Sequence, residues 1–213
     1  EGSKLVGIDA SGLELRMLAH YMNDEEYTDL ILHGDIHTYN QQAAGLETRP
    51  QAKTFIYAFL YGAGDAKIGS ISGGGQREGA KLKAKFLNSL PSLAKLLERV
   101  SKAARREHLP GLDGRRVRVR SEHAALNTLL QSAGAIVMKK ALVLAIEKLD
   151  AYGYPYKLVA QVHDEYQVEV PEAYATRVGA VFRNSIRDAG RQLNLRCPLD
   201  GEFMVGDNWS HTH

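Results

Sequence analysis

The stretch LVAQVHDEYQVEV, Leu158–Val170, decides how the rest of the chain is read. Two runs rich in β-branched and apolar residues flank a charged centre. Leu158 to Val162 leads in, and Tyr166 to Val170 leads out with strict alternation. That pattern predicts a β-hairpin turning at His163-Asp164-Glu165. Charged residues at a hairpin turn are ordinarily just solvated, so alone the stretch says only that two carboxylates stand at the tip of a sheet.

A second stretch, 155 residues before Asp164, gives those carboxylates a use: Leu5-Val-Gly-Ile-Asp9-Ala-Ser-Gly-Leu-Glu14-Leu-Arg16. An apolar strand ends in Asp9, a turn of small residues follows, and Leu13, Met17, Leu18 and Tyr21 then recur at helical spacing. Ser11 is the expected N-cap, with Glu14 three residues on as its capping-box partner. In the plain structural reading Asp9 ends a strand and Glu14 caps a helix. In the chemical reading Asp9 and Asp164 lie side by side at strand ends and share metal ions. Magnesium suits that arrangement, because one or two carboxylates hold it while phosphates and water complete an octahedron.

Working outward, the 213 residues are 44% hydrophobic, enough for a core in one or two domains. No uninterrupted run of 18 apolar residues occurs, so no transmembrane helix and no membrane partner are expected. The start, Glu1-Gly-Ser-Lys4, lacks the apolar segment of a signal peptide, and Leu5 enters a core strand almost at once, as if the chain began inside a larger fold. Cys197 is the single cysteine, which excludes an intrachain disulfide and a cysteine-rich zinc site and fits a reduced, cytoplasmic setting.

The segment from Asp35 to Gly62 is the third informative stretch. Asp35-Ile-His37-Thr opens a short helix, and a lone histidine there is ordinarily a surface or capping residue. Thr48 and Gln51 form a capping box, Pro50 stands in the first turn, and Gly62-Ala-Gly64 stops the helix. Ala52, Phe55, Ile56 and Phe59 make one apolar face; Arg49, Lys53 and Tyr57 recur every four residues along another. By itself such a row reads as a solvated stripe. It would also meet a triphosphate with two cations and a sugar or base with a phenol.

Net charge is only +2, yet Arg77 to Arg120 holds thirteen Lys and Arg against four acids, a local balance of +9. Solvated helices or a phosphate-backbone surface both explain it. Asp113-Gly114 signals a turn before Arg115-Arg116-Val117-Arg118-Val119-Arg120, where arginines and valines alternate and an arginine face could lie along a duplex. Ser70 to Gly75 is glycine-rich without the Gly-Lys-Ser/Thr of a phosphate loop and reads as a flexible connection. Ser121 to Asp150 is largely helical with a possible break at Asn127-Thr128 and with Leu129, Ile136 and Leu144 in the core; Asn127 and Gln131 are either helix-surface residues or readers of a duplex. Glu172 to Leu193 is an amphipathic helix, and Pro198 to Phe203 a final strand region.

These residues resemble, in order, the motifs of family A (polymerase I type) DNA polymerases, with most similarity to the replicative enzymes of T-seven-like phages. Asp9-Ala-Ser-Gly-Leu-Glu-Leu-Arg16 resembles the strand-turn-helix of the first metal-binding aspartate. Arg49-x-x-x-Lys53-x-x-x-Tyr57, ending at Tyr61-Gly62, resembles the fingers helix that closes on a nucleotide. Val162-His-Asp-Glu165 resembles the hairpin of the second aspartate, and Asn127 to Ala135 a helix against the primer-template. The resemblance runs from about Leu5 to Trp209.

It implies that Asp9 and Asp164, with the carbonyl of Ala10, hold two Mg2+ ions. It implies that Arg49, Lys53 and His37 meet the phosphates of a dNTP, with Lys53 also able to act as an acid on the leaving group. Tyr57 would pack by the sugar and Glu14 would crowd its 2′ position. Tyr61 would stack near the template base, and Gln131 and His163 would touch the minor groove or primer terminus of primer-template DNA. Glu165 is left between a ligand and a supporting role. The implied fold is mixed α/β (α+β): an antiparallel palm sheet with packed helices, palm at 1–33 and 113–213, and a helical fingers insertion at 34–112. The family's exonuclease-like domain, thumb and first part of the palm precede the first motif and are not in this sequence, so the expectation is either a fragment or a chain whose partner is a separate polypeptide supplying thumb and upstream palm. The segment between Arg106 and Leu112 is also short beside the phage enzymes. A non-catalytic DNA-binding subunit and a single-subunit RNA polymerase are the rival expectations.

Overall fold

Strand β1 (Ser3–Ala10) runs through the middle of a four-stranded antiparallel sheet and delivers Asp9 to its end. The computed structural model describes residues 2–213. After β1 come helices α1 (Leu13–Met22), α2 (Glu25–His33), α3 (Ile36–Ala44), α4 (Arg49–Leu60), α5 (Asp65–Ser70), α6 (Gln76–Ser89) and α7 (Pro91–Ala104). A short hairpin, β2 (His108–Pro110) and β3 (Arg116–Arg118), precedes the long α8 (Ala125–Tyr152). The hairpin β4 (Lys157–Val162) and β5 (Glu165–Pro171), then α9 (Ala175–Gln192) and β6 (Gly201–Gly206), complete the order. These elements fall into two compact units: residues up to Met17 with Ser132–His213, and Leu18–Gln131.

In the first unit the strand order is β4-β5-β1-β6. The period of two puts Val6, Ile8 and Ala10 on one face, and the register aligns Ile8 with Tyr166 and with Phe203. That face packs on α9: the Tyr166 and Phe182 rings lie 5.2 Å apart, and a Cβ at Gly179 would run into the Phe203 ring. The Tyr166 hydroxyl donates to the Met138 carbonyl of α8. The opposite face carries Gly7 and Asp9 of β1, Glu165 and Gln167 of β5, and Glu202 of β6.

Gln167 lies on that opposite face of β5 and is buried. The chain after β6 returns over that face. The Thr212 hydroxyl donates to Gln167 Oε1 at 2.9 Å, and only a glycine at position 7 leaves room for the Thr212 carbonyl. Edge strand β4 stays exposed, and its register skips Val159, a bulge between Leu158 and Ala160 of the kind that blunts sheet edges.

Helix α8 is unbroken. Asn127 and Thr128 fall in its first turn, where backbone N–H groups lack helical partners and short polar side chains do no harm. Leu129 and Ile136 are buried as expected, but Leu144 is only half-buried. By length and composition the helix through 122–152 could cross a membrane, although Lys139 and Lys140 interrupt its apolar run. Val137, Met138, Ala141 and Ala145 are fully buried, which makes it a core helix. Helix α1 starts at Leu13, so Gly12, with φ of 56°, stands at its mouth and the expected cap at Ser11 falls one residue early.

The second unit is built on capped helices. Asp24 accepts from the Tyr27 N–H ahead of α2, and Asp35 accepts from His37 and Thr38 ahead of α3. Thr48 and Gln51 form the reciprocal capping box that starts α4. The α4 face of Ala52, Phe55 and Ile56 is fully buried, with Phe86 of α6 edge-on to Phe55 at 5.1 Å. The glycine-rich segment after α5 is no flexible connection. The Gly74 N–H donates to the Gly69 carbonyl at 2.9 Å, and a Cβ at Gly69 or Gly79 would strike the Gly75 or Asp65 carbonyl, so the glycines let α5 and α6 touch backbone to backbone.

Candidate active site

The two aspartates stand where two backbone segments are tied. The Ala10 N–H, next to Asp9, donates to the Asp164 carbonyl at 3.0 Å. Asp164 occupies the tight turn of the β4–β5 hairpin beside His163, whose φ is 52°, and Val162 pairs with Glu165 across it. Glu165 is thus the first residue of β5 rather than part of the turn. On the other side, the Ser11 N–H donates to the Asp200 carbonyl at 3.0 Å. The Asp200 carboxylate accepts from Arg187 (2.8 and 3.0 Å), Arg183 (3.0 and 3.2 Å) and the Gly201 N–H (2.8 Å). Arg187 above all holds it well below the usual carboxylate range. The turn that follows Asp9 is therefore anchored to the entry of β6.

Asp9 has Glu165 opposite it on β5 and Glu202 opposite it on β6, both on its own face of the sheet. Burial, then the charges of Asp164, Glu165 and Glu202, push its carboxyl up to about 6, against a small lowering by His213. Glu165 is only 6% exposed. Its Oε1 accepts from Trp209 Nε1 at 2.9 Å and from the Gln167 amide, and its Oε2 lies 2.7 Å from His213 Nδ1. A buried charge needs such partners, and these three commit both oxygens within the protein. Among the described residues no three His, Cys, Asp or Glu side chains form a ready-made metal cage. The groups around Asp9 are hard carboxylate oxygens whose charges raise its pKa, which fits Mg2+ completing its shell from phosphate and water.

The second set of expected residues is local to α3 and α4. Arg49, the first residue of α4, makes a two-pronged ion pair with Asp35: Nε to Oδ2 at 2.7 Å and Nη2 to Oδ1 at 3.0 Å. Lys53 is exposed one turn on, and Tyr57 is half-buried one turn further. The His37 ring lies 6.4 Å from that of Tyr57. Its Nδ1 is buried with no hydrogen-bond partner among the described residues, and burial, then the Arg49 charge, lowers its pKa. The imidazole is therefore neutral at pH 7. Tyr61 ends α4 largely exposed, and Glu14 sits half-buried in the first turn of α1.

The remaining residues are dispersed. Arg116 and Arg118 project from β3 on either side of half-buried Val117, as their alternation requires, with Arg116 Nη2 3.3 Å from His108 Nδ1. Arg115 precedes the strand and folds back on Asp113, its Nη2 2.6 Å from Oδ2. Gln131 is exposed on α8, and His163 is exposed at the hairpin turn. Missed in the sequence were Glu202, Trp209, Thr212, His213 and Asp200. Nothing near them in the chain marks them, because each acquires its place through sheet register or the return of the last residues over β5.

Comparison with known proteins identifies the family and the fold. A family model described as DNA polymerase family A matches residues 1–211. The DNA-directed DNA polymerase of Enterobacteria phage T3 is 47% identical over 232 residues, covering 97% of this chain and 33% of that protein. The DNA-directed DNA polymerase of Escherichia phage Phieco32 is 41% identical over 243 residues, covering 98% of this chain and 40% of its own length. Among solved structures, the polymerase domain of Pol1 from M. smegmatis, in complex with DNA primer-template and dNTP, superposes with a TM-score of 0.87 over all of this chain and 41% of that one. At 22% identity that likeness speaks to the fold.

Proposed function

The chain belongs to DNA polymerase family A, and from that premise we propose that it carries the nucleotidyl-transfer chemistry of template-directed DNA synthesis. It spans about a third of the length of its T3 relative, so the activity is proposed for these residues as a fragment or subunit of such a polymerase. One observation carries the reading: the hydrogen bond from Ala10 N–H to the Asp164 carbonyl, which joins two aspartates 155 residues apart at one end of the sheet.

In the proposed reaction the 3′-hydroxyl oxygen of a primer attacks the α-phosphorus of a dNTP. The bond to the bridging oxygen breaks, pyrophosphate leaves, and the hydroxyl proton passes to solvent. Asp9, Asp164 and the Ala10 carbonyl would hold two Mg2+ ions, whose chemistry is to polarise phosphate and favour the alkoxide. Arg49, Lys53 and neutral His37 would bind the phosphates, and Lys53 would protonate the leaving oxygen. Tyr57 would pack against the sugar, with Glu14 selecting against a 2′-hydroxyl. Tyr61, Arg115, Arg116, Arg118, Gln131 and His163 would contact primer-template DNA. Residues 34–112 would serve as the fingers, with palm on both sides. Glu165, its oxygens already engaged, would support Asp9 and Asp164 rather than bind metal.

Primer extension tests this. The wild-type chain is assayed with dNTPs and with rNTPs, with and without a polypeptide supplying thumb and upstream palm. Incorporation of dNTPs but not rNTPs is expected. Preference for rNTPs would make it an RNA polymerase relative, and DNA binding without any extension would leave a non-catalytic subunit.

A further inference from the structure

We propose that Asp35 is the positioning residue of the nucleotide site, fixing Arg49 and His37 together for the terminal phosphates; this rests on the nucleotide reading above. The Asp35 carboxylate collects five donors. Oδ1 accepts from the His37 N–H (3.1 Å), the Thr38 N–H (3.3 Å) and Arg49 Nη2 (3.0 Å), while Oδ2 accepts from the Thr38 hydroxyl (2.7 Å) and Arg49 Nε (2.7 Å). One side chain thus caps α3, where His37 stands in the first turn, and grips the first residue of α4.

The pair is too exposed to serve mainly as a stabiliser. The Asp35 and Arg49 side chains retain 45% and 52% of their accessible surface, and ion pairs at such sites add little stability. What the bidentate geometry does supply is orientation. A guanidinium has five N–H donors in a rigid fork. Asp35 takes Nε–H and one Nη2–H, which leaves both Nη1 hydrogens and one Nη2 hydrogen along the free edge. That edge matches two oxygens of a phosphate. An arginine already held in this way gives up less rotamer freedom on binding than a loose one. The bond from Asp35 to the His37 N–H sets the α3 end of the same group of residues, whose Tyr57 ring faces His37 at 6.4 Å. Arg49 in turn keeps Asp35 ionised far below the ordinary carboxylate range, so the grip persists through the neutral pH range.

Asp35→Asn separates positioning from capping. Asparagine caps helices as well as aspartate, so α3 is kept, but its amide turns donors toward Arg49. In primer extension by the active polymerase, Asp35→Asn is expected to raise the KM for dATP roughly three- to tenfold, with kcat moving less than twofold. In an Arg49→Ala background the same substitution is expected to add nothing beyond that variant's own KM increase, since a positioning residue acts through the group it holds. An unchanged or lower KM in Asp35→Asn, or an equal increment with and without Arg49, overturns the proposal. The second outcome would mean that Asp35 acts on the helix or on the triphosphate charge directly. If Arg49→Ala itself leaves the KM for dATP unchanged, the nucleotide reading of α4 fails and takes this inference with it.

Discussion

The carboxylate row on the sheet and the cationic face of α4 are built by opposite means. Arg49, Lys53 and Tyr57 share a face because a helix repeats every 3.6 residues, and local caps set where that helix begins. Asp9, Glu165 and Glu202 share a face only because strands far apart in the chain pair in one register. The helix gathers unlike groups, and the first of them, Arg49, is met by Asp35. The sheet gathers like charges that repel, and Asp9 is left at a pKa of about 6. A site made by local periodicity tolerates change residue by residue. A site made by register holds unfavourable charge in place by the strength of the whole sheet.

The largest expected effect tests the register-built side. Asp164→Asn should lower primer extension at least about a thousandfold, the scale of several kcal/mol of lost transition-state charge stabilisation, while DNA binding is largely kept. Extension at an appreciable fraction of the normal rate would remove the two-metal assignment. On the helix-built side, Tyr57→Phe should discriminate against dideoxynucleotides by roughly ten- to a hundredfold while dNTP use changes little. On the proposed reading the phenol would donate a hydrogen bond where a nucleotide's own 3′-hydroxyl would otherwise sit, and an unfilled polar position costs about 1–3 kcal/mol. The ratio of kcat/KM for dNTP and ddNTP in both proteins measures it; equal ratios would make Tyr57 a packing residue.

Next comes the cover over β5. Trp209→Phe keeps an aromatic ring but removes the donor to buried Glu165, and should cost about 1–2 kcal/mol in denaturant unfolding. No change would mean that Gln167 and His213 satisfy Glu165 without it. The smallest effect is the pH dependence of Asp9. Its pKa is raised on folding, so its favourable contribution is complete below 3.8 and is lost as pH rises through about 6. The metal-free protein should therefore lose about 1 kcal/mol from this source between pH 4 and pH 7, a figure discounted for the exposure of Asp9, and Asp9→Asn should flatten that slope. Asp35 and Asp200 are shifted the other way and lose their contributions only below the ordinary carboxylate range, outside this window. Adding Mg2+ should reduce the same slope in the wild type and leave Asp9→Asn unmoved.

What the sequence alone determined is what short-range physics controls. The hairpin around Asp164, the capping box at Thr48 and Gln51, the helix opening at Asp35 and the two faces of α4 each follow from residues within a few positions of one another, because turns, caps and helical periodicity are local free energies. Short-range patterns also mislead where a neighbour is replaced by a distant partner. The glycine-rich segment from Ser70 to Gly75 looked flexible, yet backbone contact between α5 and α6 orders it; and Asn127-Thr128 looked like a break, yet it opens α8. The pairing of Asp9 with Asp164 entered as one of two readings of two strand ends, and the resemblance to a family gave it weight; no spacing required it. Only the tertiary structure decided the rest: that Glu202 flanks Asp9, that Trp209 and His213 hold Glu165, and that Asp200 anchors the turn beyond Asp9. The reason is that strand register and the path of a returning segment are set by burial summed over the whole sheet, a quantity no window of sequence contains.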